Sequence, residues 1–98
     1  MELLREMAGR ELRLKYTFNS ICAVEERSEL PLDRLMERKY SSVRLLFWGA
    51  LTELQPGTTL EAAGDMISAH LKAGGSLDDV AELCIEALAH AGLMPDMQ

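Results

Sequence analysis

Two periodicities run along the chain, and the switch between them divides it. Over residues 11–16, "ELRLKY", apolar and polar positions alternate strictly. Leu12, Leu14 and Tyr16 share one face; Glu11, Arg13 and Lys15 share the other. A period of two is that of a half-buried strand. Gly9 marks a turn before it, which makes "ELLRE" the candidate hairpin partner; a short helix over 2–7 is the competing reading. An isolated hairpin is marginal in water, so this one must pack on helices or pair with another chain.

From residue 17 the period becomes helical. Thr17 is a candidate N-cap, followed by Phe18, Ile21 and Cys22 at helical spacing with Val24 beside them. Pro31 suits the first turn of a second helix, where its missing N–H is no loss, and Leu32, Leu35, Met36 and Tyr40 recur after it. The third helix carries the strongest signal. Val43, Leu46, Phe47, Ala50, Leu51 and Leu54 repeat at i, i+3, i+4, i+7, i+8 and i+11, with Ser41 or Ser42 as cap and Pro56-Gly57 as stop. A fourth helix opens on Thr58-x-x-Glu61, a capping box, and its stripe is Leu60, Ala63, Met66 or Ile67, and Leu71. Gly74-Gly75 end it. Ser76 caps the fifth, with Asp78 and Asp79 in its positively polarised first turn. Leu77, Val80, Ala81, Cys84, Leu88 and Ala91 form its core face, flanked by Ile85 and Ala87, and Gly92 and Pro95 terminate it. The pattern predicts one mainly α domain over 1–98. A hairpin or strand over 1–16 precedes a compact core of four to five short helices over 17–92, and 93–98 form a loose tail.

The third helix raises a question that its stripe does not answer. Residues 45–51, "LLFWGAL", are apolar all the way round. Leu45 and Trp48 lie beside the stripe and widen it. They are the candidate partner-binding residues; the alternative is that the domain wraps its central helix on all sides. A membrane is not the answer, because a span needs about 20 apolar residues and this run has seven.

Charge narrows the partners. The net charge is −6, and phosphate binding draws on clustered Lys and Arg, so nucleic acid is not an expected partner. Nine of the ten cations precede Leu51; beyond it, Lys72 stands against eight acids. Cys22 and Cys84 form no CxxC pair, and each sits in an apolar helical pattern, where free buried thiols are expected. "MELLREMAGR" has no apolar signal-peptide region, and a cytoplasmic location is expected.

No chemistry is visible. Asp78, Glu82 and Glu86 recur along one ridge and have the spacing to meet a cation, but a solvated helix face explains them more simply. His70 and His90 belong to no metal-ligand spacing, and His90 is placed to pair with Glu86 one turn back. No catalytic residue, cofactor or metal is expected, and the chain reads as a non-enzyme. "GGSLDD" resembles the attachment signature of acyl carrier proteins, in which the serine, here Ser76, carries phosphopantetheine. Three features depart from it. Gly75 stands where the signature has aspartate, "DDVAEL" has an extra residue, and only 22 residues follow Ser76, too few for two further helices.

The order of elements resembles a different family, the small phage tail assembly chaperones, especially the group found with gene transfer agents and related prophages. In that family a short strand leads into an Asn-containing helix that ends in a Val- or Leu-Glu-Glu step, here Tyr16, Phe18, Asn19, Ile21, Cys22, Val24, Glu25 and Glu26. A short helix around a "PL" step follows, here Pro31-Leu32, then a segment of the type "lr-LLWaGL", here Val43-Arg44-Leu45-Leu46-Phe47-Trp48-Gly49-Ala50-Leu51. The next segment, "lTleeag-li", corresponds to Thr59-Leu60-Glu61-Ala62-Ala63-Gly64-Asp65-Met66-Ile67. The family often has Gly before "PL", where this chain reads Ser28-Glu29-Leu30. The likeness covers roughly residues 9–92 and consists of apolar and cap positions, with no catalytic signature. It implies a non-enzymatic assembly factor of the host cytoplasm, absent from the mature virion. Such a factor holds the long helical tape-measure protein soluble and aids polymerisation of the tail-tube protein. A homo-oligomeric interaction or adaptor domain is the alternative that needs no family, with the strand edge and the third helix as candidate self-contacts.

Overall fold

Strand β1, Leu3–Met7, pairs antiparallel with β2, Arg10–Leu14, placing Leu3 opposite Leu14 and Met7 opposite Arg10. The computed structural model describes residues 3–7, 9–35 and 40–93. Gly9 closes the hairpin at φ 77°, a conformation open to glycine because it has no Cβ. The helix considered for 2–7 gives way to β1, because residues 3–7 are paired along their length with β2; Glu2 lies outside the described residues. Leu12, Leu14 and, just past the strand, Tyr16 are buried, while Glu11 and Arg13 face out. The alternation predicted this split.

Among the described residues five helices follow: α1 Phe18–Ser28, α2 Leu32–Leu35, α3 Tyr40–Thr52, α4 Leu60–Lys72 and α5 Leu77–His90. The mainly helical fold with an N-terminal hairpin is as expected. Thr17 caps α1 in a reciprocal box with Ser20: the Ser20 N–H donates to Thr17 Oγ1 at 3.1 Å, and the Thr17 N–H to Ser20 Oγ at 2.8 Å. Helix α1 ends at Glu29, a left-handed residue at φ 59°. The Leu32 N–H then donates to Glu25 Oε2 at 2.7 Å, which ties the start of α2 back to α1.

Helix α3 is the centre of the domain and packs against α1, α2, α4, α5 and β2. Val43, Leu45, Leu46, Phe47, Ala50 and Leu51 are all buried. The domain itself therefore covers most of the circumference of this helix along its wholly apolar run, 45–51. Two hydrogen bonds fix the hairpin exit to it. The Lys15 N–H donates to the Ala50 carbonyl at 2.9 Å, near the C-terminus, where carbonyls lack helical partners. The Tyr16 hydroxyl donates to the Leu46 carbonyl at 2.5 Å.

Several boundary and burial expectations are corrected. Helix α3 is already under way at Tyr40, so Ser41 and Ser42 lie inside it and are not its cap, and Leu54 lies past its end at Thr52. Thr59, not Thr58, caps α4; its Oγ1 accepts from the Ala62 N–H at 3.0 Å, so position N3 is Ala62 and the Thr58–Glu61 box does not form. Pro31 stands just before α2, its carbonyl accepting from the Arg34 and Leu35 N–H groups. Phe18 is exposed: the inward face of α1 is Ser20, Ile21 and Val24, and at 100° per residue Phe18 points about 110° away from its centre. Tyr40 and Leu71 are exposed as well, at the first turn of α3 and the last of α4. Met36 and the tail over 94–98 lie outside the described residues.

Candidate functional site

Leu45 and Trp48 occupy different environments. Leu45 is 8% exposed and belongs to the core, so in the folded chain it presents almost no surface. Trp48 is half-buried against the core. Its indole Nε1–H donates to the Thr58 carbonyl at 2.9 Å, which clamps the loop before α4 onto α3. The Arg27 guanidinium lies 5.1 Å from the ring centroid, a cation–π distance. Trp48 thus joins α1, α3 and the α3–α4 connection, and is the more exposed residue of the pair.

The polar candidates are engaged in structural contacts. Ser76 Oγ accepts from the Asp79 N–H at 3.3 Å, and Asp79 Oδ2 accepts from the Ser76 N–H at 2.9 Å, so the serine is half of a capping box. The same carboxylate oxygen lies 2.9 Å from His70 Nε2 and joins the end of α4 to the start of α5. The bond from the Ser76 N–H, and next the one to His70, hold the Asp79 carboxyl below the usual carboxylate range. Gly75 is small for the same contact: a Cβ there would lie 2.1 Å from His70 Nε2. Glu86 bonds Arg5 of β1 at 2.5 Å, in place of the His90 partner expected from the sequence. Among the described residues no cluster of three or more His, Cys, Asp or Glu side chains is arranged for a metal.

Both cysteines are free; Cys22 is half-buried and Cys84 buried. Burial pushes the Cys84 thiol up to about 12 and raises the neighbouring Tyr16 phenol well above its ordinary value. A thiol held protonated in this way is a poor nucleophile. The void beside Cys84, lined also by Leu35, Val43, Leu46 and Leu88, measures about 10 Å³, at the lower limit for one water.

Open space lies instead on the two sides of α4. One groove, of about 440 Å³, runs between the hairpin and α4, with Met7, Leu12 and Met66 in its walls and Arg10 and Asp65 among its polar groups. The other, of about 450 Å³, lies between the start of α3, α4 and the start of α5. Tyr40, Ile67, Leu71 and Leu77 supply its apolar lining, and Arg44 lies along Gly64, its Cδ 3.2 Å from where a Cβ would be. Periodicity did not reveal this second groove because three separate elements build it. The one sequence signal for it was Gly64, a glycine inside a helical pattern, which marks a close approach.

No protein-family model matches the chain, and neither a curated protein nor a solved structure matches it.

Among the described residues no helix is long and apolar enough to cross a membrane.

Proposed function

We propose that the chain is a non-enzymatic tail assembly chaperone of the phage and prophage type, which binds a tape-measure protein and aids assembly of the tail tube. The observation that carries the reading is that each resembling segment falls on a regular element. The strand-to-helix opening is β2 and capped α1, "LLFWGAL" lies in the central helix α3, and "TLEAAGDMI" is the Thr59 cap and the first turns of α4. At the departure from the family pattern, Glu29 adopts φ 59° before Pro31-Leu32, a conformation that the glycine often found there in the family adopts readily. The open, largely apolar groove beside α4 suits a protein that must hold a long amphipathic helix in solution.

The test is co-expression with the tape-measure protein encoded in the same gene cluster. The chaperone reading expects that protein in the soluble fraction and co-purification of the two. A tape measure that stays insoluble, or never co-purifies, overturns it.

A second reading, a homo-oligomeric adaptor, draws on the sheet. It has two strands, so among the described residues β1 is paired on one side only, with Leu4 exposed. Sedimentation that gives a monomer at high concentration removes this reading.

A further inference from the structure

The groove formed by the start of α3, α4 and the start of α5 combines two features. Its walls are largely apolar, with Ser41 and Ser68 among them, and two of the apolar side chains, Tyr40 and Leu71, are exposed. Among the described residues its one charged lining residue is Arg44. The arginine stem rests along Gly64, while among the described residues its guanidinium has no hydrogen-bond or ion-pair partner. Among the described residues no carboxylate lines the groove. Asp79, in the first turn of α5, is committed to His70 and to the α5 cap. Arg44 is exposed and also lines the smaller hollow beside Leu45; at the edge of this largely apolar groove, on a chain of net charge −6, it is complementary to an anion on the occupant.

We propose that this groove is the docking site for an amphipathic helix of another protein, whose apolar stripe is flanked by a carboxylate that pairs with Arg44. The identity of that protein rests on the chaperone reading; the location of the site does not. A groove of about 450 Å³ takes roughly three large aliphatic side chains, the set that one helix presents at i, i+3 or i+4, and i+7. A second copy of the chain is a poor occupant. The stripes of α4 and α5 are spent on its own core through Ala63, Ile67, Val80 and Leu88, and among the described residues the large apolar side chains exposed outside the groove, Leu4, Phe18 and Leu30, lie singly on β1, on α1 and in the turn after α1. Two chains of charge −6 also repel.

The probe is a synthetic helical peptide of about 18 residues with Leu at i, i+3, i+4 and i+7 and a flanking Glu, paired with the same peptide carrying Lys in place of Glu. Amide chemical-shift mapping places the Glu peptide at Gly64, Ser68 and Leu71. The Lys peptide binds about three- to fivefold more weakly, the range of an exposed ion pair. Arg44→Glu reverses the preference, and Leu71→Asp weakens both peptides about tenfold or more. Arg44 and Leu71 are both exposed, and circular dichroism verifies that each variant keeps its helices. Shifts centred elsewhere, or affinities indifferent to the charge at position 44, overturn the proposal. So does a concentration-dependent dimer that Leu71→Asp dissolves, because the occupant would then be a second copy.

The same variants separate this inference from the function it deepens. If Arg44→Glu and Leu71→Asp keep a tape-measure protein soluble as well as the wild type does, the groove proposal falls and the chaperone reading stands. If the wild type itself fails, the chaperone reading falls, and the peptide mapping still decides the groove.

Discussion

A Cβ placed on Gly49 would lie 2.5 Å from Val24 Cγ2. Helices α1 and α3 therefore touch through a glycine on one side and a fully buried, β-branched side chain on the other. Valine in a helix has essentially one χ1 rotamer, so it has little room to move aside.

Gly49→Ala is accordingly expected to destabilise the fold by about 1–3 kcal/mol through overpacking, despite the roughly 1 kcal/mol that alanine gains in helix propensity. Urea unfolding measures the loss. In a double-mutant cycle Val24→Ala offsets part of it, because the shortened side chain makes room for the new methyl. Simple additivity of the two changes would contradict the contact.

Trp48 acts as a clamp. Trp48→Phe removes the donor to the Thr58 carbonyl and is expected to cost about 1–2 kcal/mol. Trp48→Ala also removes the packing of a half-buried ring and costs about 2–4 kcal/mol. Arg27→Ala, which takes away only the cation over the ring, costs about 1 kcal/mol or less. Thermal unfolding that ranks the three in another order would refute this assignment of roles.

Glu29 holds a left-handed backbone in an exposed turn. Glu29→Gly relieves a strain of about 1–2 kcal/mol and gives back part of it as unfolded-state entropy, for a net gain of about 0.5–1 kcal/mol. A lower denaturation midpoint in this variant would show that the Glu29 side chain contributes more than its backbone loses.

Asp79 makes stability depend on acid. Its carboxyl titrates lower in the folded chain than in the unfolded one. The bonds to Ser76 and His70 therefore contribute fully above the ordinary carboxylate pKa, and their contribution is lost as pH falls through the depressed folded value. Unfolding midpoints measured from neutral pH downward should fall in that window, and Asp79→Asn should flatten the fall. Gly75→Ala, whose Cβ would displace the His70 ring, is expected to diminish it. An unchanged acid profile in Asp79→Asn would assign the acid loss to other carboxylates.

The candidate groove was less legible than the fold. Leu71 falls at the right interval after Ala63 and Ile67, and by spacing alone it belongs to the same buried stripe. It ends up exposed because it lies in the last turn of α4, where the helix borders open space between the starts of α3 and α5. Tyr40 is the matching case at the first turn of α3. Spacing along a helix carries no information about where the neighbouring helix stops.

The local structure was determined by the sequence itself. Alternation selected the buried face Leu12, Leu14 and Tyr16, Thr17 and Ser76 marked two helix starts, and Gly9, Gly74 and Gly92 marked turns that their positive φ angles bear out. These features depend on backbone sterics and on hydrogen bonds between near neighbours, which a short window contains. Tertiary structure alone decided that Leu45 faces inward, that Phe18 faces out, that Glu86 reaches Arg5, and that Thr58 offers its carbonyl to Trp48 while Thr59 caps α4. Periodicity sets the direction of a side chain about its own helix axis. Whether anything lies in that direction depends on how separate elements pack, and so on contacts between residues distant in the chain.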